Sequence, residues 1–493
     1  MTWHRVAGTG GRAQSASCMA SRLSASPPVG RGFTAPLRRR PSSGSLAATA
    51  DQAPAAPVAL RPASMTADDS VNAREVLLVG LGDPVSDILV RLDDPSLAAR
   101  VFDACGISEP GGCVPVDSDE DIKSLLAACG EQWITGAGAL ETPSQSFSED
   151  VPSQGVEPTY CPGGSAANVA KGVANLGGDA AFVGMIGRDD IGARYRELLR
   201  SQKVTPVLLE VDVDDDEPGA TPRSAQCLSL VEKGGQRTMR TYLGASLKMG
   251  ASHFDENVER LAFGDDDAPG ESNANKSKSK SDDAAAPGGR DRASLLHVEG
   301  YTLYRPDLAR AAMTAAKRRG ALVSLDLASF EVVRNCRSQL CSLLDKGLVD
   351  LLFCNEDEAA ELIGETRAPD AFAREDAGRA MEWMLRYVRV ATVSLGARGC
   401  VSVDRDGSRG VSPGVRCAVV DTTGAGDSFT AAFLWAYLRG GSLQACCACG
   451  CAVGTAVVQV LGAELTASRW GELRGDLETV LRRDRERAGG DDD

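Results

Sequence analysis

The chain has 493 residues, 43% apolar and 25% charged, which is enough to bury one large core or two and excludes a small stapled scaffold. Its formal charge is −15, and setting aside a first fifty residues worth +7 leaves −22. Such a surface repels long nucleic acids and confines phosphate chemistry to a local pocket of backbone amides and a few Arg. The longest apolar string, Ala431 to Leu438, is less than half of the roughly eighteen residues a membrane helix needs, so no spanning segment and no membrane partner are expected.

Residues 1 to 50 hold seven Arg and no Lys, Asp or Glu, with much Ser, Ala, Pro and Gly. That is the composition of an organellar transit peptide, for a plastid or a mitochondrion, and residues 1 to 70 are expected to be leader; a plain disordered tail has a similar composition. The folded domain is expected over 74 to 485. It begins with Glu75 to Gly80 (EVLLVG), a short apolar run closed by Gly80, Gly82, Asp83 and Pro84, which reads as a buried strand entering a loop. Polar stretches at Ser144 to Glu157 and Gly264 to Arg292 read as surface loops, the second disordered, and residues 486 to 493 as an acidic tail.

Between these gaps strands and helices alternate. Strands are expected at Ala180 to Ile186, Leu295 to Glu299, Ala321 to Leu327, Val349 to Cys354, Arg389 to Leu395, Cys400 to Val403 and Val415 to Val420. Helices are expected at Gly192 to Ser201, Asp307 to Arg319, Glu356 to Gly364 and Asp376 to Tyr387. This predicts an α/β sandwich with a central, mostly parallel sheet whose ligands bind beyond the carboxyl ends of the strands. Thr221 to Gly244 differs: two β-rich stretches flank Lys233-Gly234-Gly235, a hairpin suited to a lid. Of the fifteen Cys, only Cys446 and Cys449 have Cys-x-x-Cys spacing, in an apolar helical context beside Cys447 and Cys451. They read as small core residues, which points to a reducing compartment.

The strongest chemical signal is the run into Asp421-Thr422-Thr423-Gly424-Ala425-Gly426-Asp427 and the helix after it, closed by Gly440 and Gly441. Gly424 and Gly426 let a phosphate approach free amides at the positive end of the helix. A carboxylate beside an anion site is electrostatically awkward unless it accepts a proton, as a hydroxyl attacking phosphorus requires. A simple helix cap explains Asp427 alone but leaves Gly424 to Gly426 without a reason. The second signal is Cys161-Pro162-Gly163-Gly164-Ser165-Ala166-Ala167-Asn168, where a Gly pair opens a helix, Ser165 can cap it and Asn168 projects toward the mouth; a surface Asn reads the same way.

Together the two strings resemble the paired signatures of the PfkB, or ribokinase-like, carbohydrate kinases, the family of ribokinase, fructokinase and adenosine kinase, over roughly residues 75 to 470. The resemblance implies an ATP- and magnesium-dependent transfer of the γ-phosphoryl group to a sugar or nucleoside hydroxyl. It implies Asp427 as catalytic base and the Gly424, Ala425 and Gly426 amides as anion hole. Asp87, Gly163, Gly164 and Asn168 are the implied substrate residues, and Arg240, in Arg237-Thr238-Met239-Arg240, the lid cation. Asn355 and Glu358 fall at the magnesium and phosphate region, and Ser394, Gly396 and Gly399 at the nucleotide. It further implies a β lid from parts of 83 to 125 and 221 to 245, pairing of two chains through that lid, and a potassium ion near Asp421. One departure is Cys451, where relatives often place an Asn near the adenine. Ser324 to Phe330 and the stretch from Ala98 to Glu141 look closer to adenosine kinase-like and plant-type branches. The alternatives are a nucleoside kinase specifically, or a non-catalytic organellar interaction protein on the same fold. A dinucleotide-binding turn after Gly80-Leu81-Gly82 is excluded by Pro84 and Val85, and no Walker-type loop occurs.

Overall fold

Along the first strand Leu77, Val79 and Leu81 turn one way and Leu78 the other, and both sets are buried. A strand of that kind must be covered on both faces. The computed structural model describes residues 76–92, 95–108, 113–129, 159–211, 222–232, 237–264, 293–364 and 374–489. The expected leader, the polar stretch at 144–157, the Lys233-Gly234-Gly235 turn, all of the 264–292 insertion beyond Gly264, and the last four residues lie outside them.

The large sheet contains β1 (Val76–Leu81), β5 (Asp179–Gly187), β6 (Val204–Val211), β9 (Ala293–Glu299), β10 (Leu322–Asp326), β11 (Leu351–Asn355), β12 (Val390–Ser394), β13 (Cys400–Asp404) and β14 (Arg409–Ser412). They lie side by side as 14-13-12-11-10-9-1-5-6, parallel from β6 to β12, with β13 and β14 antiparallel at one edge. Because β1 sits between β5 and β9, the chain leaves it toward opposite sides, and the crevice at such a switch point, beyond the strand ends, is where ligands bind.

One face is covered by α5 (Glu256–Phe263), α6 (Pro306–Arg318), α7 (Phe330–Asn335), α8 (Arg337–Asp345), α9 (Glu356–Ile363) and α10 (Arg374–Met384). The other carries α3 (Ser165–Asn175), α4 (Asp190–Ser201), α11 (Ala425–Leu438), α12 (Leu443–Val457) and α13 (Ala467–Gly489). Thus α13 runs on through the start of the expected acidic tail. Phe429, Phe433, Ala436 and Tyr437 share one face of α11, yet the helix is buried nearly all round, because α3 and α12 both pack on it.

A second, mixed sheet holds β2 (Ser86–Leu92), β3 (Cys113–Pro115), β4 (Thr159–Pro162), β7 (Gln226–Glu232) and β8 (Arg237–Tyr242) in the order 3-8-7-2-4. The expected hairpin is its β7–β8 pair. Its own apolar cluster, Ile88, Val90, Leu228, Leu230 and Tyr242, is closed by α1 (Pro95–Ala104) and α2 (Asp119–Cys129).

One expected strand is absent. Val415 to Val420 is irregular, with Val415, Val419 and Val420 exposed, and the edge strand forms earlier, at Arg409–Ser412. Gly399 sits at φ +94°, where a Cβ would lie 1.9 Å from the Ser412 carbonyl oxygen. This close approach ends the edge pairing at Ser412, and the chain then crosses over to α11 without a strand partner. No helix among the described residues is long and apolar enough to cross a membrane.

Candidate active site

The loop after β1 is pinned from two sides. Asp83 N–H donates to Glu299 Oε1 at 2.8 Å, and Ala166 N–H, in the first turn of α3, donates to Glu299 Oε2 at 3.0 Å. Gly82 makes this possible, since a Cβ there would lie 2.3 Å from Glu299 Oε2. Arg305 pairs with Asp83 at 2.5 Å. The lid strand β2 then carries Asp87, whose carboxylate lies against Gly163; a Cβ at Gly163 would sit 2.1 Å from Asp87 Oδ2. Burial raises the Asp87 pKa to about 7, against the charges of Lys171 and Arg237.

Gly164, at φ +97°, is the N-cap of α3, so the expected capping role of Ser165 is corrected: Ser165 is the first helical residue and its hydroxyl turns outward. It donates to Asp427 Oδ1 at 2.8 Å, while Asn168 Nδ2 donates to Asp427 Oδ2 at 2.8 Å. Asp427 accepts at both oxygens and so fixes the orientation of the Asn168 amide. That leaves Asn168 Oδ1 buried without a hydrogen-bond partner among the described residues. Burial raises the pKa of Asp427, opposed by these two hydrogen bonds and by the charge of Lys171.

Gly424, left-handed at φ +66°, opens α11, and no side chain caps the helix. Asp427 therefore does not serve as a cap; the Ala425 N–H donates to the Thr422 carbonyl at 3.3 Å, and open space lies beside Gly426 in the first turn of α11. Asp421, at 1% exposure, holds this loop: it accepts from Thr423 N–H at 3.0 Å, from the Thr423 hydroxyl at 2.7 Å and from Gly462 N–H at 2.9 Å. Arg237 Nε lies 3.2 Å from Asp421 Oδ1.

Arg240 lies elsewhere. Alternation along β8 puts it on the face of Tyr242, where it donates to the Met239 carbonyl at 2.9 Å and its charge acts on Cys105. The lid arginine that reaches the site is Arg237. Asn355 and Glu358 do meet at the end of β11, as the two halves of a capping box. Asn355 Oδ1 accepts from Asp357 and Glu358 N–H, Asn355 Nδ2 donates to Glu358 Oε1 at 2.7 Å, and Asn355 N–H donates to Glu358 Oε2 at 2.8 Å. Burial first, and then the charge of Asp326, hold Glu358 well above the carboxylate range. Burial pushes Asp326, at the end of β10, up to about 7.

The turn with Ser394, Gly396 and Gly399 follows β12 and is tied to α9 by the Arg398–Glu356 ion pair. Cys451 Sγ lies 3.6 Å from Cys400 Sγ, and Cys446, Cys447 and Cys449 are buried in the core on that face. Sequence reading missed Glu299, Asp326, Arg237 and Lys171. The last is buried on α3 with its ammonium on the Pro162 carbonyl and Glu464. A Lys inside a run of small apolar residues was the available signal for it.

A family profile described as "pfkB family carbohydrate kinase" matches residues 138–265 and 272–469. Fructokinase-1 of Oryza sativa subsp. japonica is 30% identical over 280 residues, covering 55% of this chain and 72% of that protein. Probable fructokinase-6, chloroplastic, of Arabidopsis thaliana is 26% identical, covering 55% and 61%. Among solved structures, adenosine kinase from Sinorhizobium meliloti superposes with a TM-score of 0.59 at 26% identity, covering 82% of this chain and 99% of that one.

Proposed function

Because the chain belongs to the pfkB family of carbohydrate kinases, ATP-dependent phosphotransferases acting on sugars or nucleosides, we propose that it moves the γ-phosphoryl group of ATP onto a hydroxymethyl oxygen of a monosaccharide. One observation carries the mechanistic reading: Asp427 stands at the start of α11 without capping it, aimed by Ser165 and Asn168 from α3. An aspartate held off its own helix in this way is free to take the acceptor's proton. The raised pKa makes Asp427 a better base than an exposed carboxylate while the charge of Lys171 keeps it ionisable.

The amides of Gly424 and Gly426, joined by that of Ala425 once it releases the Thr422 carbonyl, stabilise the charge that develops on the transferred group. Asp87 and the free Asn168 Oδ1 accept from the acceptor's other hydroxyls and set its angle to Asp427. Ser394, Gly396 and Gly399 border the nucleotide. Magnesium, when bound, would neutralise the phosphate oxygens, and the buried carboxylate of Asp326, whose like charge acts on Glu358 close by, fits it. Asn355 and Glu358 fit less well, since both ends of the amide and both oxygens of the carboxylate are engaged in the capping box.

A nucleoside acceptor is the second reading, favoured by the superposition on an adenosine kinase. An acid-free, Arg-rich leader together with a relative named as chloroplastic supports an organellar address, and a reporter fused to residues 1 to 70 reads it out. Pairing of two chains through the lid belongs to the same reading.

The test is ADP release against a panel of sugars and nucleosides, with Asp427→Asn beside the parent. The substitution keeps the shape and removes the base, so kcat should fall about 10²- to 10⁴-fold, roughly 3 to 5 kcal/mol of barrier, with ATP affinity and melting temperature nearly unchanged. A fully active Asp427→Asn protein would overturn the mechanism. No turnover by the parent with any acceptor would favour the non-catalytic alternative.

A further inference from the structure

Asp421 draws three segments of the chain to one buried carboxylate. The loop that opens α11 reaches it through Thr423, the segment between α12 and α13 through the amide of Gly462, and the lid through Arg237 on β8. Ala463 packs directly behind Gly424, where a Cβ would meet it at 2.5 Å, so Asp421 and its partners set the position of the residues that begin the anion hole. Asp421 is 1% exposed, and the Arg237 side chain is 18% exposed.

A potassium ion beside Asp421, implied by the family resemblance, does not fit this arrangement. Both carboxylate oxygens already accept from N–H and O–H donors, and the positive position next to Oδ1 is filled by a guanidinium 3.2 Å away. A second cation there would face that like charge across a few ångströms of poorly solvated protein. A guanidinium also keeps its charge at every working pH and presents N–H donors in a fixed fork.

We propose that Arg237 is a positioning residue that takes the place of a monovalent cation, holding Asp421 and through it the anion-hole loop, and that turnover is consequently independent of potassium. The charge arrives on a lid strand, so the lid and the anion hole are coupled through one ion pair. Arg237 acts on Asp87 as well, since its charge opposes the rise in that carboxyl's pKa. The inference rests on the kinase reading for its kinetic arm, and on the ion pair alone for its binding arm.

In the binding arm, melting temperatures of the parent chain are compared in potassium chloride and in tetramethylammonium chloride at equal ionic strength. A cation that bound the folded chain would raise the first by mass action; coincident values are expected, and stabilisation specific to potassium would overturn the proposal. In the kinetic arm, parent kcat/KM should agree within about twofold between the two salts, and a tenfold activation by potassium would overturn it. Arg237→Met should lose about 10²-fold in kcat, with part of the loss restored by added guanidinium or potassium, which a merely structural defect would not recover. Full activity of Arg237→Met without either ion would also overturn it. If that variant fails to fold, both salt comparisons on the parent still decide. Absence of ADP release from the parent in every salt would count against the kinase reading and leave the melting comparison to judge this one.

Discussion

Asp87 ionises against its surroundings. Burial is the largest influence, Glu464 and Asp427 add to it, Lys171 and Arg237 oppose it, and the outcome is a pKa of about 7 where the ordinary value is 3.8. A folded-state value above the unfolded one contributes stability that is fully present below pH 3.8 and is lost as pH rises through about 7. Asp87→Asn removes the ionisation and keeps the shape. Its melting temperature should therefore exceed the parent's by a few degrees at pH 8, with the gain shrinking toward pH 4, while acceptor kcat/KM falls at every pH. A gain that grew on acidification would reverse the sign and refute the account. Asp427, by contrast, is legible in the sequence because everything that marks it is local: two glycines, an apolar helix after them, and an acid where phosphate arrives. Glu299 is not, since the amides it binds belong to Asp83 and Ala166, 216 and 133 residues away. Arg237 fell between these cases. The string Arg237-Thr238-Met239-Arg240 is visible, but choosing between its two arginines needs the face of β8 that the lid turns inward.

At the scale of elements, buried parallel strands such as β1, β9 and β12 stand out as short, continuous apolar runs bounded by glycine, and their positions agree with expectation to within a residue or two. Val415 to Val420 has the same look and is not a strand, because β-rich composition cannot reveal that the sheet edge has already closed at Ser412. The turn after β10 holds a local cost of a different kind. Ala328 has φ +63°, a left-handed conformation that opposes its Cβ, and its N–H donates to Asp326 Oδ1 at 2.9 Å. The strained turn thus aims a carboxylate at the site, one way in which function holds backbone strain in place. Ala328→Gly should raise stability, the relief of about 1 kcal/mol exceeding the added freedom of the unfolded chain, while Ala328→Val should lower it. Urea titration of the three proteins measures this, and a glycine variant less stable than the parent would show that the turn is not strained.

The whole molecule is two sheets of unequal depth. The large one is buried on both faces by helices, whereas the lid sheet has helices α1 and α2 over a much smaller cluster that includes Ile88, Leu228 and Leu230. Contacts across the boundary include Asp87 against Gly163 where β2 meets the start of α3, Arg194 of α4 over the Tyr160 ring of β4, Leu89 beside Gly462, and Arg237 on Asp421. A small core of this size should open on its own at a lower free energy than the central sheet. Native-state hydrogen exchange should accordingly give two classes, with the amides of β2, β7 and β8 less protected than those of β1, β9 and β10. Leu228, fully buried in the lid cluster, tests the division. Leu228→Ala removes about 2 to 5 kcal/mol from the folded state, and every amide that exchanges by unfolding the lid or the whole chain loses the same increment. Only the lid starts from a free energy small enough to be driven near zero, so its strands should lose nearly all protection while the central strands stay protected. The acceptor KM should rise in step, because an open lid carries Asp87 and Arg237 away from the crevice. Equal protection across both sheets in the parent, or a parallel collapse of both in Leu228→Ala, would mean that lid and core unfold as one unit and that access to the crevice is controlled by something other than the lid.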